Sequence, residues 1–371
     1  MSNCYPLISV ILPIYNAGPY LDQCLVSVEQ QSYRNLEIIC LNDGSTDNSL
    51  DIMQTHALHD DRIVIINKQN QGYGATCNRG LDEAHGDYIA IVEPDDWIES
   101  QMYEDMLRFA MSFDQWESIE IVKTPFWRIW FPDTPEQRKF NCSYKSRVTP
   151  QRQPFTLADT PTILHHHPSI WSAIYRKDFL DSHRIRFMEI PGAGWADNPF
   201  LIETLCQAKK IVYLDKPYYC YREDTPEKLA AFAHRSTLLP IERWNDMLDV
   251  MERLQIADRN ILSALYSRGF TYVSGVIEEV DLSHSDVRDA VTAMFERMDE
   301  NIVFSSKHLS PGCKRLFADL RNLPRPKINH LQYAKELIGQ GVYNFKNTGL
   351  SNTIYAVTNY LKKYRKRTGG K

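Results

Sequence analysis

The chain has 371 residues, 43% apolar and 24% charged, with 42 Lys and Arg against 47 Asp and Glu. These proportions exclude a collagen-like, mucin-like or wholly disordered chain, and a net charge of −5 gives no electrostatic ground for nucleic-acid binding. The length suits about two domains. Leu7 to Ile14 is a nearly continuous apolar run, the pattern of a strand buried on both faces. Gly18-Pro19 opens a helix with Leu21, Cys24, Leu25 and Val28 on one face. Leu36–Leu41 reads as the second strand, and Ser45-Thr-Asp-Asn-Ser as a helix start rich in capping side chains. Arg62–Asn67 is the third strand, followed by a glycine-containing turn and a short helix ending near His85-Gly86. Tyr88–Val92 is the fourth strand, and Ser100 is placed to cap a helix over Gln101–Ser112. Ile119–Lys123 makes a fifth strand.

This alternation predicts an α/β fold with a mostly parallel sheet and right-handed crossovers. Residues 125–160 carry Pro, Arg and aromatic residues with weak periodicity and read as a loop-rich insertion. Order resumes over Ile170–Leu180, with a late strand at Ile211–Asp215; Tyr218, Tyr219 and Tyr221 alternate with Cys220 as strand faces do. Helical patterns then fill Leu238–Leu254, Arg259–Val280 and Asp286–Met298. The expected organisation is an α/β domain over 1–225 and a helical region over 226–371.

Ligands of parallel α/β sheets bind outside the carboxyl ends of the strands. Those ends read Pro13-Ile-Tyr15-Asn16, Asn42-Asp43-Gly44-Ser45, Lys68-Gln-Asn70-Gln-Gly72 and Glu93-Pro-Asp95-Asp96. Asn, Asp and Gly are ordinary turn residues at any one end. Four such ends along one sheet edge point to a binding edge. Three carboxylates in Glu93–Asp96 repel one another unless a cation or donors compensate, and hard oxygen ligands suit Mg²⁺ or Mn²⁺. A solvated acidic turn is the alternative.

The segment Ile8–Trp97 resembles the nucleotide-sugar-binding half of family 2 glycosyltransferases, which have the GT-A fold. The matching pieces are Val10-Ile-Leu-Pro-Ile-Tyr-Asn16, Leu41-Asn-Asp-Gly-Ser-Thr-Asp47, Asn70-x-Gly72 with Asn78, and Val92-Glu-Pro-Asp-Asp96. Trp195-Ala-Asp-Asn-Pro-Phe200 resembles the acceptor-side motif, and Ile170–Leu180 the Trp-containing stretch before it. The likeness covers roughly 7–222. It implies that Pro13, Tyr15 and Asn16 line the base pocket, with the Tyr15 ring available for stacking. It implies that Asp43 accepts from the pyrimidine or ribose, and that Asn70, Gly72 and Asn78 lie near the nucleotide. Asp95 would be the metal ligand, with Glu93 in the first D-x-D place where Asp is commoner, and Asp96 beside the donor sugar. Asp197 matches the general base; Ala196 stands before it, where many members carry a second acid.

The resemblance therefore implies an inverting hexosyl- or hexosaminyltransferase. It would depend on Mn²⁺ or Mg²⁺, use a UDP-sugar, and act on a glycan or lipid-linked acceptor in cell-envelope polysaccharide synthesis. A non-catalytic carbohydrate- or nucleotide-binding scaffold is the rival, although it would not need Asp95 and Asp197 together. A dinucleotide-binding fold wants G-x-G-x-x-G after the first strand, where this chain has Asn16-Ala-Gly-Pro-Tyr.

Other features are less specific. His165-His166-His167 reads as an exposed loop, and Arg222 and His234 follow the last strand, within reach of a pyrophosphate. Trp195 reads equally as an acceptor-stacking ring or a core aromatic. Eight scattered cysteines without a C-x-x-C pair argue against a zinc site and suit a reducing compartment. No apolar run approaches the roughly 18–20 residues of a spanning helix, and the apolar start lacks a preceding basic residue, which disfavours a signal peptide. A cytoplasmic location is expected. Lys346, Lys362, Lys363, Arg365, Lys366, Arg367 and Lys371 make the C-terminal tail basic, behind apolar residues at helical spacing. That tail suits either a solvated end or peripheral contact with the inner face of an anionic membrane.

Overall fold

The computed structural model describes residues 5–165, 167–192, 194–223 and 237–327, with scattered residues between 335 and 358. It divides into two compact units, 1–302 and 303–371.

The first unit is built on a seven-stranded sheet. Its strands are β1 (Ile8–Ile14), β2 (Leu36–Asp43), β3 (Ile63–Lys68), β4 (Tyr88–Ile91), β6 (Ile121–Lys123), β9 (Ala173–Arg176) and β10 (Ile211–Tyr213), in the order β10-β6-β9-β4-β1-β2-β3. Every residue of β1 is buried, which is why its sequence does not alternate. It pairs in parallel with β2, Ile8 opposite Leu36, and with β4, Ile8 opposite Tyr88. β9 alone runs antiparallel, between β4 and β6.

Helices α1 (Gly18–Glu29), α2 (Ser49–Ala57), α3 (Tyr73–Glu83) and α4 (Met102–Met111) connect these strands. Leu21, Cys24, Leu25 and Val28 are the buried face of α1, as their spacing predicts. The N-cap of α4 is Gln101, not Ser100, and no side chain caps it. α3 lies close against β1 because Gly80 has no side chain; a Cβ there would stand 2.5 Å from Ile11 Cγ2.

The stretch 125–160 is more ordered than its sequence suggests. β7 (Phe126–Trp130) and β8 (Arg138–Asn141) form an antiparallel hairpin. They join β5 (Trp97–Ile98) and β11 (Tyr219–Arg222) in a second sheet, ordered β5-β11-β7-β8. This sheet lies directly after the acidic turn and carries Tyr219 to it. A short turn of 3-10 helix follows at Pro161–His165.

α5 (Lys177–Ser182) and α6 (Asp197–Gln207) complete the mixed region. α7 (Leu239–Arg253), α8 (Arg259–Glu279) and α9 (Ser285–Glu296) belong to the same compact unit as the sheet. The side chain of Asp258 caps α8 by accepting from the backbone N–H groups of Asn260 and Ile261, at 2.8 and 3.0 Å. The division between units falls within α10 (Glu300–Ser305). In the second unit α11 (Pro311–Leu320) is capped by Ser310 and buries Phe317 edge-on against Phe304. Lys362 and the basic residues after it lie outside the described residues. Among the described residues no helix is long and apolar enough to cross a membrane.

Candidate active site

The ends of β1 and β2 are stitched together by their turn residues. Asn16 takes φ 49°, and its Oδ1 accepts from Thr46 N–H at 2.8 Å. Its own N–H donates to Ser45 Oγ at 3.0 Å, and Gly18 N–H to Asp47 at 2.9 Å. Pro13 is buried within β1 opposite Leu41. The Tyr15 ring stands 53% exposed at the strand's mouth, open for stacking.

Asp43, at the end of β2, is buried and binds the turn after β3. It accepts from the backbone N–H groups of Gln71 (2.9 Å) and Gly72 (3.0 Å) and from the Lys68 ammonium. Asn70 is exposed on this turn. Gly72 has φ +91°, and a Cβ there would stand 2.9 Å from the Ile190 carbonyl oxygen. Only glycine lets the 187–192 segment come this close. Asn78 then clamps that segment. Its Oδ1 accepts from Phe187 N–H at 2.8 Å, and its Nδ2 donates to Phe187 O at 3.0 Å and to Glu189 at 3.1 Å. Asn78 is thus engaged by the chain leading to Asp197.

The acidic turn after β4 separates its carboxylates. Asp96 is buried and turned into β11, accepting from the Tyr219 hydroxyl (3.0 Å) and the Arg222 N–H (2.8 Å). Glu93 Oε1 accepts from the Tyr73 hydroxyl at 2.6 Å, and Glu93 N–H donates to Tyr219. Loss of water pushes the Glu93 carboxyl up to about 8; the bond from Tyr73 opposes this, and the charges of Asp95, Asp96 and Asp197 add to it. Asp95 is half-buried. Arg222 sits between the rings of Tyr20 and Trp97, 5.0 and 4.7 Å from their centres, and bonds to Asp133 and Gln23. Its side chain is a buried support beneath the turn.

Asp197 opens α6 and is half-buried. The residue two before it, Trp195, has φ 56°. A bulky side chain in that region costs on the order of 1–2 kcal/mol, so the surrounding contacts hold the entry to α6 in place. Trp195 is half-buried, its ring 5.5 Å from that of Tyr272. Asn198 Nδ2 donates to Asp197 Oδ1 at 3.2 Å. Burial is the main upward push on the Glu93 carboxyl and on the Tyr73 and Tyr272 hydroxyls, and the charge of Asp197 adds to it.

A stack of rings adjoins this edge: Trp171 lies 4.0 Å from Tyr219 and 5.3 Å from Tyr221. His167 is exposed and touches the Tyr221 and Trp171 rings, His165 is half-buried, and His166 and His234 lie outside the described residues. Tyr73, Arg268 and Tyr272 were not singled out from the sequence, Lys68 was read only as part of a strand end, and Tyr219 only as a strand face. Tyr73 alone had a local signal, its place as first residue of a helix after a required glycine. Among the described residues no three His, Cys, Asp or Glu side chains group as a metal centre.

Residues 9–181 match the family described as Glycosyl transferase family 2. The uncharacterized glycosyltransferase EpsJ of Bacillus subtilis is 27% identical over 242 residues, 63% of this chain and 65% of EpsJ, so the match spans less than two-thirds of that relative. Among solved structures, S. aureus TarS 1–349 in complex with UDP-GlcNAc superimposes with a TM-score of 0.67 at 20% identity, covering 85% of this chain and 87% of that one. The mannosyltransferase PcManGT of Pyrobaculum calidifontis, in complex with GDP-Man and Mn²⁺, gives 0.50 at 15% identity, covering 81% and 78%. The sheet and its strand ends are those of a GT-A architecture. The likeness to family 2 glycosyltransferases is thus carried by residues 9–181.

Proposed function

We propose that this edge transfers a hexosyl or hexosaminyl group from a UDP-sugar to a hydroxyl of a glycan or lipid-linked acceptor, with inversion. The observation that supports the reading is that the charges of Asp95 and Asp197 both bear on the Glu93 carboxyl. Such a gathering of negative charge is costly without a cation. Its donors are all hard oxygens, which fits Mg²⁺ or Mn²⁺; such ions commonly take one or two carboxylates together with substrate phosphates. Asp95 would be the main ligand, with Glu93 second, and the ion when bound would offset charge gathering on the departing diphosphate.

Asp197 acts as the base. It takes the proton of the acceptor hydroxyl while the acceptor oxygen bonds to the anomeric carbon. The bond from that carbon to the diphosphate oxygen breaks on the opposite face, and the configuration inverts. Tyr15 stacks on the base, and Asn70 and Gly72 border the nucleotide. Asp43, Asn78, Asn16, Pro13 and Asp96 serve this pocket chiefly by fixing its walls. Residues 1–225 carry donor binding, and the helices beyond 226 add support on the acceptor side.

The UDP-GlcNAc bound by TarS supports the choice of donor class, and the Mn²⁺ of PcManGT supports a divalent ion. A role in envelope polysaccharide synthesis rests on the family resemblance, and a cytoplasmic site of action with the basic tail at an anionic membrane rests on the cysteine pattern and the charge of the tail. The test is nucleotide release from a panel of UDP- and GDP-sugars, with and without Mn²⁺. Release from a UDP-sugar that requires the ion supports the reading. Nucleotide binding with no release from any donor favours a non-catalytic scaffold.

A further inference from the structure

Asn198 is buried beside the proposed base, and the two ends of its amide face different partners. Its Oδ1 accepts from Arg268 Nη2 at 3.0 Å and from the Tyr272 hydroxyl at 2.6 Å. Its Nδ2 faces Asp197 Oδ1 at 3.2 Å and the Trp195 carbonyl at 3.4 Å. A guanidinium has donors only. Turning the amide over would set N–H groups against N–H groups in a buried site, at the cost of an unmade hydrogen bond on each side.

Arg268 is itself fixed. It is 4% exposed, its Nε donates to the Tyr272 hydroxyl at 2.8 Å, and its Nη1 donates to the Leu164 carbonyl at 3.3 Å. The bonds therefore run in one direction, from Arg268 to Tyr272 to Asn198 to Asp197. Chains of this kind polarise one another in a low-dielectric setting. Both Arg268 and Tyr272 lie on α8, well beyond the residues 9–181 that match the family.

We propose that Arg268 and Tyr272 are positioning residues for the transfer. They lock the Asn198 amide so that its N–H holds Asp197 Oδ1 and fixes the orientation of the carboxylate that takes the acceptor proton. The helical region thereby sets the geometry of the base. This rests on the reading of Asp197 as that base.

The test compares full-length wild type with Arg268→Ala, Arg268→Lys, Tyr272→Phe and Asp197→Asn. Nucleotide release is measured on the UDP- and GDP-sugar panel with water as acceptor, and UDP affinity by calorimetry with Mn²⁺ present. Arg268→Ala is expected to lower kcat about 10- to 100-fold, the usual penalty for a displaced catalytic group, while UDP affinity and donor KM change less than about 2-fold. Arg268→Lys should recover part of the loss, because an ammonium also rejects the turned amide. Tyr272→Phe removes one hydroxyl and keeps the ring, so it guards against a folding defect in the Arg268 variant; a smaller kcat loss is expected, again with UDP affinity intact. Rates within about 2-fold of wild type in both Arg268→Ala and Tyr272→Phe overturn the proposal if Asp197→Asn is inactive. So does a parallel fall of UDP affinity and kcat, which marks a purely structural role. Full activity of Asp197→Asn overturns the base assignment, and this proposal with it. Absence of release by the wild type from every donor overturns the enzymatic reading and the positioning role together.

Discussion

Replacing Asn78 with Ala separates a nucleotide contact from a clamp. The structure gives Asn78 three bonds to the 187–189 segment, two of them with the Phe187 backbone at 2.8 and 3.0 Å. Each backbone bond contributes about 1 kcal/mol net. The third, to the exposed Glu189, adds little. The variant should therefore lose about 2 kcal/mol. With a urea slope near 3 kcal/mol/M, the unfolding midpoint of the first unit should fall by roughly 0.7 M. The loosened segment leads to Asp197, so kcat for nucleotide release should fall further than UDP affinity. An unchanged midpoint together with a selective loss of UDP affinity would refute the clamp and make Asn78 a direct donor contact.

Asp95→Asn keeps the side chain's size and removes its charge; calorimetry with UDP should show the Mn²⁺-dependent gain in affinity shrinking, and an equal gain in wild type and variant would remove Asp95 as a ligand. Lys123 is buried, donating to Ser169 and the Pro168 carbonyl, and loss of water pulls its ammonium down to about 7 from its usual 10.5. Between those values the unfolded chain binds the extra proton, so folding stability should rise with pH, by ~1 kcal/mol per pH unit from about 7 to 9. Lys123→Met should lose that component of the slope, as read from urea melts at each pH; identical slopes would contradict the burial argument.

Much of the donor half was legible because it rests on local chemistry. The unbroken apolar run of β1 announces a strand covered on both faces, and turn residues at four strand ends mark one edge. Gly72 was expected to allow a close nucleotide; what the structure shows beside it is the 187–192 segment. The β7–β8 hairpin was not legible, because Arg128 interrupts the apolar run of β7 and β8 holds one apolar residue, Phe140. Arg128 is satisfied by Glu223, 95 residues away, a pairing no local pattern announces. The same holds for Tyr219, which reaches Asp96 across 123 residues, and for Tyr272, which reaches Asn198 across 74. Runs of polar turn residues show where a site lies. They do not show which members, like Asp43 and Asp96, bond to distant parts of the chain.

The central claim is that Asp197 removes the acceptor proton. Its most direct test is the rate of nucleotide release by Asp197→Asn, measured at donor saturation with UDP affinity checked in parallel. Loss of a positioned base should lower that rate by about 10²–10⁴-fold, with UDP affinity retained. A rate within about threefold of wild type would contradict the account.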